Sequence, residues 1–393
     1  MKYYATQINE KGNIAVDDTI LVKDVVTTAG SKILDGFKPL FSAEAVTRLE
    51  NKGYVVAGKT NVGEFGLDLV GEFSYYAPGE GKLEGSAASL VANDEVEAAL
   101  GVDMNGATRR AAALAGVDFL KPTYGTVSRY GVISCAASGE QVGVYAKDAE
   151  KIAEIMGVIA GHDEKDGTSL KDETYNYEIT DVKGKKVAIN KYLLNKADDA
   201  TKAKVMAFAD ALRANGVEIT EVECDMPEIA NTAWQILMCA ETCNNVSRYD
   251  GVKFGHRAKE YKNIDELYVN TRTEGFNFLT KAVVLYGSDV LSKNRYKDCF
   301  DKSLRVRRVV AEGIAKAFEN FDAILTPACS GAEYEAYDIK DAFGKVFAES
   351  VFTAVPNLVG IPALVTNGVQ LMGNHFSEAT LLSLANSVEK EGK

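Results

Sequence analysis

Short β-prone apolar runs and longer helical patterns take turns along this chain, and that alternation restricts its fold more than any other feature. A helical pattern over residues 43–51 leads into the run "YVVAG" (54–58), and "VEAALGV" (96–102) leads through an Asn105-Gly106 turn into "TRRAAALAG" and then "VDFLK". Farther on, "KKVAIN" (185–190), "TKAKVMAFADALRANG" (201–216) and "VEITEVEC" read as strand, helix and strand. A basic helix from about Ser303 to Phe318, the strand "DAILTP" (322–327) and a closing helix "SEATLLSLANSVEK" complete the pattern. Strand-length runs separated by crossover helices predict an α/β fold with a mixed, largely parallel central sheet flanked by helices. The 393 residues suffice for one large core. The polar stretch "DEKDGTSLKDE" (163–173) is the best candidate for an internal loop, and no tandem repeat is evident.

Charge and composition remove several function classes. Lysines and arginines number 44 against 56 acids, a net charge of −12, which disfavours a nucleic-acid-coating surface. No run is long enough for a membrane span, and the first residues lack the apolar core of a signal peptide, so a cytoplasmic location is expected. Six cysteines are spread thinly and read as reduced thiols. Cys239 and Cys243 share one helix face, but no second pair follows at metal-binding spacing. Three histidines leave little room for a histidine-built metal site, and neither metal nor cofactor is expected.

The stretch "KGYVVAGKTN" (52–61) admits two readings. Gly53 to Thr60 matches G-x-x-x-x-G-K-T, the pattern of a phosphate-cradling loop. Such a loop needs a strand before its first glycine and a flexible turn after it. Here a helix precedes Gly53, and Tyr54-Val55-Val56-Ala57 is itself strand-like. In the second reading Lys59 ends a buried strand, where desolvation keeps its amine neutral enough to act as a base.

Six segments carry a resemblance that favours the second reading: "VVAGKTNVGEFG" (55–66), "ALGVDMNGATRRAAALAGVDFLKPTYGTVSRYGVIS" (99–134), "VIAGHDEKDGTS" (158–169), "RYDGVKFGHR" (248–257), "NTRTEGF" (270–276) and "GNHFSEATLL" (373–382). Together they resemble the amidase signature family, and most closely the branch formed by the A subunits of the glutamyl/aspartyl-tRNA amidotransferases. The resemblance implies one amidase-signature domain over residues 1–393, with its core motifs in about 50–145. The family usually begins with a longer helical segment; only about twenty residues precede "TILVKD" here.

Enzymes of this family use a Ser–Ser–Lys triad, because an unactivated serine needs a base and an oriented hydroxyl relay to become a nucleophile. The resemblance puts Lys59 at the lysine position. It sets "DMNGATR" (103–109) over the D-x-G-G-S-I-R turn, so Ala107 stands at the nucleophile and Asp103, Met104, Asn105 and Gly106 form the oxyanion-loop remnant. Counting back, Leu83 stands at the relay serine. The charged anchors for an amino-acid substrate fall on Ala282, Val283 and Ser350. Thr108 is the adjacent hydroxyl but lies one position late, and Ser86 and Ser89 suit a helix cap or a packed face. These losses predict a catalytically degenerate protein, kept for binding a small amide or apolar ligand or as a partner to a companion subunit or a second copy. The alternative is an active amide hydrolase or glutamine-dependent amidotransferase component with a relocated nucleophile, Thr108 or Ser86. In the degenerate reading Lys59 needs a structural partner, with Asp103 or the carbonyls of residues 104–106 as candidates.

Overall fold

A computed structural model describes residues 3–68, 74–76, 86–171, 175–331 and 341–390. Its strands are β1 (Tyr4–Gln7), β2 (Ile14–Asp17), β3 (Val56–Thr60), β4 (Ala98–Asp103), β5 (Asp118–Lys121), β6 (Gln141–Ala146), β7 (Lys186–Asn190), β8 (Glu218–Val222), β9 (Ala323–Pro327), β10 (Ala363–Thr366) and β11 (Val369–Gly373). They form one eleven-stranded sheet in the order β1-β3-β2-β4-β6-β5-β10-β11-β9-β7-β8. The helices are α1 (Glu44–Asn51), α2 (Ser86–Ala92), α3 (Ala107–Ala115), α4 (Ala149–Ile159), α5 (Lys191–Lys196), α6 (Asp199–Ala214), α7 (Met226–Val246), α8 (Ile264–Gly275), α9 (Phe278–Val290), α10 (Lys302–Ala317), α11 (Ala342–Glu349), α12 (Ala354–Val359) and α13 (Glu378–Glu389).

Strand alternation decides which layer each side chain joins. On β9, Ala323 and Leu325 pack with Val205 and Leu212 of α6 and Leu381 of α13, while Ile324 turns to the opposite face with Trp234 of α7 and Ile314 of α10. Val187 and Ile189 of β7 follow the first pair, and Ala188 between them follows the second. The result is the α/β domain with helices on both faces that the alternation predicts.

The sheet is mixed, with a larger antiparallel share than the alternation alone suggests. Parallel pairing occurs where β2 lies between β3 and β4, and where β7 lies between β8 and β9. The other six pairings among the described residues are antiparallel, including the whole run from β4 through β6, β5, β10 and β11 to β9. The hairpin between β10 and β11 shows why: Asn367 and Gly368 both take positive φ (47° and 77°), the tight turn that reverses a chain with matching twist.

Two local differences matter for the site. Strand β3 begins two residues later than the apolar run suggests, because the Tyr54 amide still closes the end of α1 on the Leu49 carbonyl and the Val55 amide donates to the Asn13 side chain. Lys59 therefore lies within the strand. Of the polar stretch 163–173, residues 163–171 form a loop, but a fastened one: Ser128 donates to Asp163 (2.6 Å) and the Arg129 amide to Asp166 (2.8 Å); residues 172 and 173 lie outside the described residues.

Candidate active site

Lys59 is wholly buried, on a strand hydrogen-bonded on both sides by β1 and β2. Its ammonium meets the Asp18 carboxylate at 3.1 Å, donates to the Asp18 carbonyl at 3.3 Å, and contacts the Thr27 hydroxyl. The other Asp18 carboxylate oxygen accepts from the Thr28 amide (2.9 Å) and hydroxyl (2.5 Å). Burial pushes the lysine below its ordinary range, while the charges of Asp18 and Asp17 oppose that shift without cancelling it. The phosphate-loop reading fails on this geometry, because Val56 to Thr60 are strand and the lysine faces the interior. The expected partner was also wrong. Asp103 is taken by other groups, and Asp18, one residue past the end of the neighbouring strand β2, holds the amine.

Asp103 ends β4 and is wholly buried. Arg109, two residues into the first turn of α3, grips it with a fork of 2.8 and 3.0 Å. The same guanidinium reaches Gln370 of β11 (2.7 Å), the Thr353 carbonyl (3.0 Å) and the Asn357 side chain of α12. Asp103 also accepts from the Thr108 hydroxyl (2.5 Å) and from the Asn357 side-chain amide (2.7 Å). Burial alone would raise this carboxyl; the Arg109 charge and these hydrogen bonds outweigh it and hold Asp103 below the usual carboxylate range.

Between strand and helix, Gly106 adopts φ 84°, and a Cβ there would lie 2.2 Å from Cβ of Thr353, so only glycine fits. Thr353 in turn donates its hydroxyl to the Asn105 carbonyl (2.9 Å). Met104 is buried in the core with Leu67 and Phe65. Ala107 is the half-exposed position in a turn whose neighbours are buried.

The remaining predicted positions scatter. Leu83 lies outside the described residues. Ser86 opens the described part of α2, with a buried hydroxyl that has no partner, and Ser89 is half-buried on the same helix. Val283 is core, Ala282 beside it is half-buried, and the buried Ser350 spends its hydroxyl on the Val346 carbonyl (2.8 Å). Cys239 and Cys243 pack α7 against Gly287 of α9, and no group of three or more metal-ligating side chains occurs among the described residues. No described helix is long and apolar enough to cross a membrane.

Four buried side chains escaped the sequence reading. Asp18 and Thr27 are fully buried and share Lys59; the signal was the acidic pair Asp17-Asp18 directly after the apolar run "IAV" (14–16), an odd place for charge unless a buried cation faces it. Glu64 accepts from Ser31, Thr280 and the Asn277 amide (3.0 Å), and burial lifts its carboxyl to about 7. Lys121 of β5 donates to the Pro122 carbonyl (2.9 Å), and burial brings its amine down to about 7.

Known proteins agree with this architecture. The profile of the amidase family matches residues 13–382. The A subunit of glutamyl-tRNA(Gln) amidotransferase from Agathobacter rectalis is 35% identical over 96% of this chain and 80% of its own length. The protein of the same name from Lachnospira eligens is 36% identical over 96% of this chain and 83% of its own. The crystal structure of the glutamyl-tRNA(Gln) amidotransferase A subunit from Thermotoga maritima superposes with a TM-score of 0.80 at 26% identity, covering 99% of this chain and 87% of that one. These relatives overturn the expectation of a catalytically degenerate protein that is not an enzyme, since they are named for an amidotransferase and match this chain almost end to end. By the extent of that match, the chain belongs to the amidase family.

Proposed function

We propose that this protein is an active amide hydrolase of the same type as the amidotransferase A subunits, which breaks the C–N bond of a carboxamide and releases ammonia through a relocated nucleophile. The observation that carries the reading is the contact between the buried Lys59 amine and the Thr27 hydroxyl. A lysine held below its ordinary range by burial keeps a larger unprotonated share, and that form is the one able to take a hydroxyl proton. Thr108, the hydroxyl nearest in sequence to the nucleophile position, is spent on Asp103. Thr27, whose hydroxyl accepts from Lys59 and donates to the Val25 carbonyl at a long 3.3 Å, is the hydroxyl in contact with the amine and takes the nucleophile's role in this reading.

The steps balance on these groups. Thr27 Oγ1 gives its proton to the unprotonated form of Lys59 Nζ and attacks the amide carbon; Asp18 steadies the ammonium so formed, the same ion pair that the resting site holds. Lys59 returns the proton to the leaving nitrogen, the C–N bond breaks and ammonia departs. Water then cleaves the ester on Thr27. The relatives' names support a companion protein of the same assembly as the acceptor of that ammonia. The apolar side chains Ile229, Leu285, Leu304 and Val309, exposed on α7, α9 and α10, suit such an interface. A cytoplasmic location accompanies this reading.

Ammonia release from glutamine, asparagine and neutral primary amides tests it. Wild type should turn over at least one of them, Lys59→Met and Thr27→Val should lose at least ~100-fold, and Thr108→Val and Ser86→Ala should retain most activity. Turnover indifferent to Lys59→Met, or none above a heat-inactivated control with all substrates, would refute it.

A further inference from the structure

The turn between β4 and α3 holds a side chain that the proposed proton transfers do not use. Asn105 is wholly buried, and neither its Nδ2 nor its Oδ1 has a hydrogen-bond partner. Its surroundings have little to offer it. The Asp103 carboxylate is filled by Arg109, Thr108 and Asn357, and the Asn357 amide is divided between Asp103 and the Gly139 carbonyl (3.1 Å). The turn cannot swing to find other partners, because Thr353 pins the Asn105 carbonyl and abuts Gly106. A buried amide with both ends unsatisfied is costly and rare, which makes it a mark of something that fills it.

Two further features lie beside it. Helix α3 starts at Ala107 with no side-chain cap on its first amides, leaving N–H donors at the same turn. Ala107, at the nucleophile position of the family pattern, is partly exposed among buried neighbours, which makes it the position of this turn nearest the surface.

We infer that Asn105 is a specificity residue whose side-chain amide pairs with the carboxamide of an uncharged substrate, Nδ2 donating to the substrate carbonyl and Oδ1 accepting from its N–H. A primary amide supplies one acceptor and two donors and satisfies both ends of Asn105. A carboxylate supplies no donor, so Oδ1 would stay unpaired against another oxygen. The positions where the family pattern expects charged anchors, Ala282, Val283 and Ser350, offer none, which fits a ligand without ammonium or carboxylate groups. This inference rests on the amide-hydrolase reading and names its substrate class.

The experiment is an equilibrium titration of the full chain with butyramide and with butyrate, read by ligand-observed NMR, for wild type, Asn105→Gly and Asn105→Ala. Wild type should bind butyramide at least about tenfold more tightly than butyrate, and both variants should lose that preference through weaker amide binding. Unfolding curves read from Trp234 fluorescence verify that each variant is folded. Equal binding of amide and acid by wild type overturns the inference even if both variants misfold, and so does a preference that survives either substitution in a folded chain. Amide-selective binding that depends on Asn105 without ammonia release would support this inference while sinking the catalytic reading. Turnover without any Asn105-dependent selectivity would do the reverse.

Discussion

Replacing Asp18 by asparagine puts an amide where the carboxylate meets Lys59 and leaves an oxygen for the Thr28 donors. The lost attraction is sizeable: at 3.1 Å, unit charges in a medium of effective dielectric about 20 interact by about 5 kcal/mol. Breaking one side of a buried ion pair typically costs ~3–5 kcal/mol. Lys59 can limit that loss by shedding its proton. From an unfolded value of 10.5, deprotonation costs about 5 kcal/mol at pH 7 but only about 2 kcal/mol at pH 9. The sign follows from linkage: a lysine whose folded value is depressed binds fewer protons folded than unfolded, so stability rises with pH up to the unfolded value. Urea unfolding monitored by Trp234, the single tryptophan and fully buried, reads the effect. Asp18→Asn should cost ~3–5 kcal/mol at pH 7 and no more than about 2 kcal/mol at pH 9. The double variant Asp18→Asn/Lys59→Met should recover at least half of the loss at pH 7, because no buried charge remains. A loss under about 1 kcal/mol at pH 7, a loss equal at both pH values, or a double variant no better than the single would refute the reasoning.

Arg109→Lys should destabilise by ~3–5 kcal/mol, since an ammonium cannot reach Asp103, Gln370 and the Thr353 carbonyl together; a chemical denaturation curve measures it. Glu64 is a carboxyl raised by burial from 4.5 to about 7, so its contribution is intact below pH 4.5 and is lost as pH rises through 7. Glu64→Gln should therefore remove up to about 3 kcal/mol of the wild-type decline between pH 5 and 8, as read from unfolding midpoints across that range. An apolar cavity of about 200 Å³ lies between β7, β9, α7 and α10, lined by Ala188, Ile324, Met226, Ile314 and Ala317 among others. Ala317→Leu should fill part of it and add about 1 kcal/mol, visible as a raised melting temperature.

The elements that local chemistry determines were legible. The helix at Glu44–Asn51, the strand at Ala323–Pro327 and the strand–turn–helix around Asn105-Gly106 stand close to where periodicity and turn residues put them. Lys59 was legible as a buried strand lysine because the run before it is uniformly apolar. Its partner was not, since Asp18 is 41 residues away and becomes a neighbour only when β2 enters the sheet beside β3. Arg109 was read as part of a motif, but its ties to Asn357 and Gln370 span 248 and 261 residues. Periodicity carries no information over such separations. The degenerate reading failed for a related reason. It weighed the substitutions at positions 83 and 107 together with the missing anchors at 282, 283 and 350, and the hydroxyl that meets Lys59, Thr27, lies in none of those segments.

The order of strands has a consequence for how the protein is made. Strands β1 to β6 are synthesised first and β7 to β9 next, yet these two groups have no hydrogen-bonded edge in common; β10 and β11 stand between them. A chain emerging from the ribosome thus holds two unjoined pieces of sheet, each with an open edge, until residues 363–373 arrive. That same hairpin brings Gln370 to Arg109. The turn that carries Asn105 is fully braced only once β11 has arrived, so a chain short of that strand is also one whose site is unset.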